Sequence, residues 1–166
     1  MANITFKGNT VNTNGDLPAI GASAPGFNLI NSQLSEVKLS DYKGKNVVLN
    51  IFPSLDTGTC AASVRQFNKE VTALENTVVI GISADLPFAA GRFCSAEGIE
   101  NVVTLSTFRD TAFANDYGLL MTDGPLKGLL ARAVVVVNPE GKIVYTELVP
   151  EIAHEPDYNS AINSIV

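Results

Sequence analysis

The sequence predicts an α/β sandwich built on a central mixed β-sheet, and three observations lead there. First, the runs at 46–52, 77–83 and 133–137 are apolar on both faces, as strands covered from both sides must be. Second, helical spacing separates them: after Cys60, apolar residues fall at Val64, Phe67, Val71 and Leu74, with Arg65, Gln66, Asn68, Lys69 and Glu70 on the other face. Third, the tight turn Asn138-Pro139-Glu140-Gly141 joins the 133–137 run to a strand at 142–148, so that these two pair antiparallel. A chain of 166 residues fits one domain, 1–166, large enough to bury a core without disulfide staples.

Taken in order, residues 3–12 read as a small hairpin, with Ile4 and Phe6 facing Val11 across a Lys7-Gly8-Asn9 turn. A loop rich in glycine and proline follows, then a short strand pair at 27–30 and 37–39. Residues 40–44 turn into the central 46–52 strand. The 77–83 strand leads to a helix that Asp85 can cap, with Pro87 in its first turn and Gly98 as its stop. This helix carries Cys94 and is expected to bury Phe88 and Phe93. A strand at 101–105, a helix at 110–117 and a glycine-rich loop or ribbon at 118–128 complete the approach to the last hairpin. Pro156 opens a terminal helix with Tyr158, Ala161, Ile162 and Ile165 on one face. Strands alternating with helices, then a hairpin and a helix, fit a thioredoxin-like order with an added N-terminal β-hairpin.

Composition narrows the partners. The net charge is −6 with no window concentrating Lys or Arg, which argues against nucleic acid and anionic membrane. No apolar run approaches the ~18 residues of a membrane-spanning helix. The segment MANITFKGNT lacks the basic and apolar regions of a signal peptide, so the expected location is the cytoplasm, where thiols stay reduced. A single histidine, His154, argues against a zinc site.

Attention then falls on residues 50–67, NIFPSLDTGTCAASVRQF. The strand breaks at Pro53, a turn follows, and Cys60 sits where the next helix begins. With Thr57 as the N-cap, Gly58, Thr59 and Cys60 are the first three helical positions, among N–H groups that lack intrahelical partners. The helix dipole favours negative charge there, and the thiolate is the reactive form of cysteine. Spacing alone leaves the alternative open: Thr57 merely caps, and Cys60 is an inert core cysteine.

The tetrad Pro53-x-x-x-Thr57-x-x-Cys60 resembles the active-site signature of the peroxiredoxins. The blocks at 50–68, 76–110 (with RFCSAEG), 116–142 (with GLLARAVVV) and 145–158 resemble one branch, the atypical two-cysteine thiol peroxidases of bacteria, over essentially the whole chain. The resemblance implies that Cys60 is the peroxidatic cysteine and that the Thr57 hydroxyl contacts thiolate and peroxide. It implies that Pro53 shields the pocket from water and that Arg132 stabilises the thiolate and polarises the substrate. A permanently charged, planar guanidinium suits that last task. The alternative for Arg132 is a solvated residue at a strand start, but an arginine flanked by Leu129, Leu130 and the 133–137 run reads as tethered rather than free.

Cys94 matches the resolving cysteine, which condenses with a Cys60 sulfenic acid to form an intramolecular disulfide. Its bland alternative is a small core residue. Both helices are expected to unwind locally for the bond to form, with Gly58 and Gly91 easing the opening. The family further implies hydroperoxide substrates, organic ones favoured, thioredoxin as reductant and a homodimer, with no metal, haem or flavin. Gly81 stands where some relatives carry a third cysteine. Arg65, Arg92 and Arg109 read as surface or structural charges, His154 as no general base, and the Asp123-Gly124 loop as part of the site's rim. Two rivals are a thiol-disulfide oxidoreductase, against which the absence of C-x-x-C argues, and a redox sensor using the same two thiols.

Overall fold

The computed structural model describes residues 2–165; Met1 and Val166, the ends of the expected 1–166 domain, lie outside the described residues. A seven-stranded sheet runs in the order β4-β3-β7-β6-β5-β8-β9. Its strands are β3 (Asn28–Asn31), β4 (Glu36–Lys38), β5 (Asn46–Ile51), β6 (Thr77–Ser83), β7 (Val102–Ser106), β8 (Ala133–Val137) and β9 (Ile143–Leu148). Strands β5, β6 and β7 are parallel, and the remaining pairs are antiparallel, so the sheet is mixed as expected. A separate antiparallel hairpin, β1 (Asn3–Phe6) and β2 (Asn9–Asn12), opens the chain.

Alternation along the strands sorts the core into two layers. Val47, Leu49, Ile51, Ile80, Ile82, Val135 and Val137 face one side, with α3 (Ala112–Asp116) and the hairpin. There Phe113 stacks on Tyr117 at 4.6 Å between ring centroids and meets Phe27 edge-on at 5.6 Å. Val48, Val79, Val102, Val134 and Val136 face the other side, packing against α1 (Gly58–Val71), α2 (Pro87–Glu97) and α4 (Tyr158–Asn163). Every residue of β5 is buried, as a strand covered on both faces requires.

Some boundaries differ from expectation for local reasons. The first turn is Lys7-Gly8 alone, both with positive φ (51° and 83°), and Asn9 already pairs with Phe6. Helix α3 starts at Ala112 because the Asp110 carboxylate accepts the Ala112 N–H at 2.7 Å, forming a turn ahead of it. Helix α4 is capped by Asp157, whose carboxylate accepts the Ser160 N–H at 3.1 Å, so Pro156 stands before the cap. Ile165 lies past the helix end yet still packs on the second core layer. Phe88 is not buried: it is 68% exposed on the first turn of α2, whereas Phe93 is packed as expected.

Candidate active site

The site grows from the C-terminal end of β5. The strand stops at Ile51, and Phe52 and Pro53 follow, both buried. Residues 54–57 then turn the chain into α1. Thr57 is the N-cap in extended geometry (φ −91°, ψ 143°), and its Oγ1 accepts the Cys60 N–H at 3.4 Å. The Thr57 hydroxyl donates to the Ser54 carbonyl at 3.1 Å. Among the described residues no hydrogen bond joins Thr57 Oγ1 to Cys60 Sγ; the threonine meets the cysteine through its backbone. Cys60 is the third residue of α1 and fully buried.

Arg132 arrives from the neighbouring strand. Ile51 pairs with Ala133, so the residue before β8 lies beside the end of β5. Sharing the side of Val134 and Val136, Arg132 projects toward the layer that contains Cys60. It is 1% exposed, the largest fully buried side chain among the described residues. Its Nη2 donates to Cys60 Sγ at 3.2 Å and its Nε to the Ile152 carbonyl at 2.8 Å. Among the described residues its Nη1 has no partner. Among the described residues no carboxylate forms an ion pair with it. An unpaired buried charge costs several kcal/mol. A guanidinium held inside the core against a sulfur, with its Nη1 open, is therefore set up for negative charge that arrives from outside.

The loop after β9 closes the arrangement. Ile152 supplies the carbonyl that orients Arg132, and the Thr59 hydroxyl donates to the Ala153 carbonyl at 3.0 Å. Tyr158 packs edge-on against Phe67 at 5.0 Å, and its hydroxyl donates to Glu155 at 2.7 Å. Burial, followed by that bond and the Glu155 charge, holds the Tyr158 hydroxyl protonated far above its ordinary range, with Arg132 pulling the other way.

Asp85 does not cap α2. Leu86 occupies the N-cap position without a side-chain cap, and the Asp85 carboxylate turns back onto the 54–55 segment instead. Sequence reasoning missed this role because Asp two residues before a helical proline matches a capping pattern equally well. Ile152 was missed for another reason: it acts through a backbone oxygen, which carries no residue signature.

Cys94 lies on α2, half-buried, beside a cavity of about 750 Å³ that Gly91, Ser95, Asn31, Gln33 and Thr104 also line. Burial pushes its thiol up from the ordinary value, while a hydrogen bond with Thr104 pulls it partly back. Cys60 and Cys94 are both free thiols, on different helices packed into the same core layer.

The remaining candidates make no hydrogen bond or ion pair with Cys60 or Arg132 among the described residues. Arg65 pairs with Glu97 at 3.5 Å and Arg92 with Asp56 at 3.7 Å, all exposed, and Arg109 lies over the Phe108 ring. His154 is exposed. Asp123 accepts the Asn12 N–H and Nδ2–H at 2.8 and 2.7 Å, fastening its loop to the N-terminal hairpin. A side chain at Gly81 would start 3.4 Å from the Phe52 ring.

A thioredoxin-like sandwich with a buried cysteine in the first turn of α1, held against an arginine, defines a redox-type protein on this fold. Known proteins agree. The redoxin family model matches residues 19–162. Thiol peroxidases of Corynebacterium glutamicum and Mycobacterium tuberculosis are 55% and 52% identical to the chain over 165 residues, covering 99% of it and 99% of each relative. A crystal structure of a peroxiredoxin-like protein from Aquifex aeolicus superposes with a TM-score of 0.93 at 38% identity, over 98% of this chain and 95% of that one. The chain belongs to the redoxin family and, within it, to the thiol peroxidases, as a thiol-dependent peroxidase of the peroxiredoxin type.

Proposed function

We propose that the chain reduces hydroperoxides, organic ones and hydrogen peroxide, with Cys60 as the attacking sulfur and Cys94 as its resolving partner. The observation that carries this is the Arg132 guanidinium: Nη2 on Cys60 Sγ at 3.2 Å, Nε on the Ile152 carbonyl, and Nη1 open among the described residues. The Cys60 thiolate attacks the terminal oxygen of the O–O bond. An S–O bond forms, the O–O bond breaks, and the departing oxygen leaves as an alcohol or water after taking a proton. Negative charge grows on that oxygen during the step. A fixed, buried donor aimed at developing charge accelerates such displacements because nothing need reorganise. Arg132 Nη1 is the donor available for it, and Pro53, buried at the turn, keeps water from the sulfur. Thr57 holds the Cys60 backbone in place and can turn its hydroxyl from Ser54 toward the peroxide.

The product, a Cys60 sulfenic acid, then meets the Cys94 thiol: an S–S bond forms and the sulfenic oxygen leaves as water. Cys60 is buried in the first turn of α1 and Cys94 sits on α2, so that turn and part of α2 unwind as the sulfurs approach to disulfide distance. The uncapped start of α2 and Gly58, whose surroundings are open, lower the cost of that opening. A thioredoxin-type dithiol supplies the two electrons that reopen the disulfide. The enzyme acts as a homodimer in antioxidant defence, in the cytoplasm, a compartment that keeps its two thiols reduced between turnovers.

The test couples peroxide consumption to thioredoxin and its reductase. Wild type turns over and Cys60→Ser does not; mass spectrometry after one equivalent of peroxide finds an intramolecular Cys60–Cys94 bond. A single stoichiometric oxidation without turnover points to a redox sensor instead, and a lasting Cys60 sulfenic acid or an intermolecular disulfide rejects the resolving role of Cys94.

A further inference from the structure

Every hydrogen bond that the Asp85 carboxylate makes points away from the helix it precedes. Its Oδ1 accepts the Ser54 hydroxyl at 2.7 Å; its Oδ2 accepts the Leu55 N–H at 2.7 Å and the Ser83 hydroxyl at 2.8 Å. Ser54 passes the restraint on. Its carbonyl accepts both the N–H and the hydroxyl of Thr57, at 3.2 and 3.1 Å, and its Oγ accepts the Asp56 N–H at 3.2 Å. Thr57 in turn caps Cys60. An unbroken series of bonds thus runs from the end of β6 through the 54–57 turn to the reactive sulfur's own backbone.

Charge-assisted bonds are the strong members of their class, and three converge on this one half-buried carboxylate. The other tie from this turn to α2 is weak by comparison. The Arg92–Asp56 pair spans 3.7 Å between side chains 70% and 75% exposed, the kind of contact that contributes little.

We propose that Asp85 is a positioning residue for peroxide reduction, latching the 54–57 turn to the end of β6 so that Thr57 and Cys60 stay aligned with Arg132. The latch also works in the second half of the cycle. Asp85 stands directly before the N-cap of α2, the helix that carries Cys94. Unwinding the start of α2 pulls Asp85 from Ser54 and Leu55, and the turn that holds Cys60 loosens as the resolving thiol is freed. This rests on the assignment of Cys60 and Cys94 given above.

The experiment separates the two steps in the full-length chain. Wild type, Asp85→Ala, Asp85→Asn and Ser54→Ala are mixed with cumene hydroperoxide, quenched at intervals with dimedone and iodoacetamide, and analysed by mass spectrometry. Asp85→Ala is expected to oxidise Cys60 about tenfold more slowly or worse, since small misplacements of reacting groups are costly. Its Cys60–Cys94 closure is expected to be as fast as wild type or faster. Asp85→Asn keeps one acceptor oxygen and falls between, and Ser54→Ala repeats the pattern more mildly without touching the carboxylate. Amide hydrogen exchange rises in residues 54–61 and not in β8 or β9. Unchanged Cys60 oxidation in Asp85→Ala and Ser54→Ala overturns the latch while leaving Cys60 in its role. Equal slowing of both steps, with exchange raised throughout, also overturns it, because the fold would merely be weaker. If wild type itself leaves Cys60 unoxidised, the assignment of the sulfur falls and the latch with it.

Discussion

Arg132 and Cys60, seventy-two residues apart, meet at 3.2 Å in a core that excludes water from both. The guanidinium gives the fold little reason to keep it: its charge is unpaired by any described carboxylate and its Nη1 is unfilled among the described residues. Stability and activity should therefore respond in opposite directions to its removal. Arg132→Met, close in length and without donors, is expected to lower peroxide turnover by ~10²–10³, the usual loss when a fixed donor to developing charge is removed. Its melting temperature should hold or rise, since replacing a buried ion with an apolar side chain is often neutral or stabilising. Coupled turnover and thermal denaturation on the same preparation decide it; wild-type turnover in the variant would take the guanidinium out of the chemistry.

Thr57 tests a different link, between helix start and stability. Thr57→Ala removes the cap on Cys60 N and the bond to Ser54 O. Loss of an N-cap costs ~1 kcal/mol, which for a chain of this size lowers the melting temperature by ~2–4 °C. Thr57→Ser keeps the hydroxyl and should recover most of that loss. A serine variant as unstable as the alanine variant would mean that the methyl group matters, not the oxygen.

For Cys94 the prediction concerns pH. Burial pushes its thiol up, so at neutral pH the sulfur proposed to resolve Cys60 is protonated. The thiolate is the attacking form, and its fraction grows about tenfold per pH unit below the thiol's own value. Disulfide closure, followed by rapid quench, should therefore accelerate as pH rises above neutrality. Thr104→Val removes the hydrogen bond that pulls the thiol back down, and should move the profile to higher pH. A closure rate flat between neutral and alkaline pH would mean that opening of the helices, not deprotonation, limits the step.

Acid should act on the hairpin. The Asn12 N–H and Nδ2–H bonds hold the Asp123 carboxyl below the ordinary carboxylate range. The unfolded chain then binds the proton more tightly than the folded one, so stability rises with pH in the acid range. The contribution is complete above the ordinary carboxylate value and is lost as pH falls through the lowered one. Asp123→Asn should flatten part of that acid slope in denaturant midpoints, leaving the share that Asp157, similarly lowered by Ser160, still provides. Superimposable profiles for the two proteins would contradict this.

The long elements were legible in the sequence because their signals are local. Strand β6 spans the expected 77–83, and α1 begins where Thr57 and its following residues place a cap. Gly98 ends α2 with φ 65°, the left-handed geometry that glycine adopts freely. Cys60 and Arg132 could be singled out, yet their meeting could not be read from spacing, since it depends on a strand pairing between distant segments. Asp85 misled because its carboxylate can serve either the helix that follows it in sequence or a segment brought to it from far along the chain, and only the fold shows that the 54–57 turn lies within reach. Phe88 misled because helical periodicity shows which residues share a face but not whether anything covers it.

The pairing of β5 with β8, Ile51 opposite Ala133, carries a consequence for how this protein can change over time. Side chains on a strand alternate, so a one-residue slip of β8 would send Arg132 through the sheet to the layer of Phe113 and Tyr117, on the side away from Cys60. A two-residue slip would restore the face but move the guanidinium roughly 7 Å along the strand, beyond hydrogen-bond reach. Neither parity nor reach tolerates a length change in β8, whereas the turn at 138–141 and the 118–128 ribbon lie outside that ladder. Insertions in this lineage should therefore accumulate in those connections, and the meeting of Arg132 with Cys60 is inherited as a count of residues as much as by their identity.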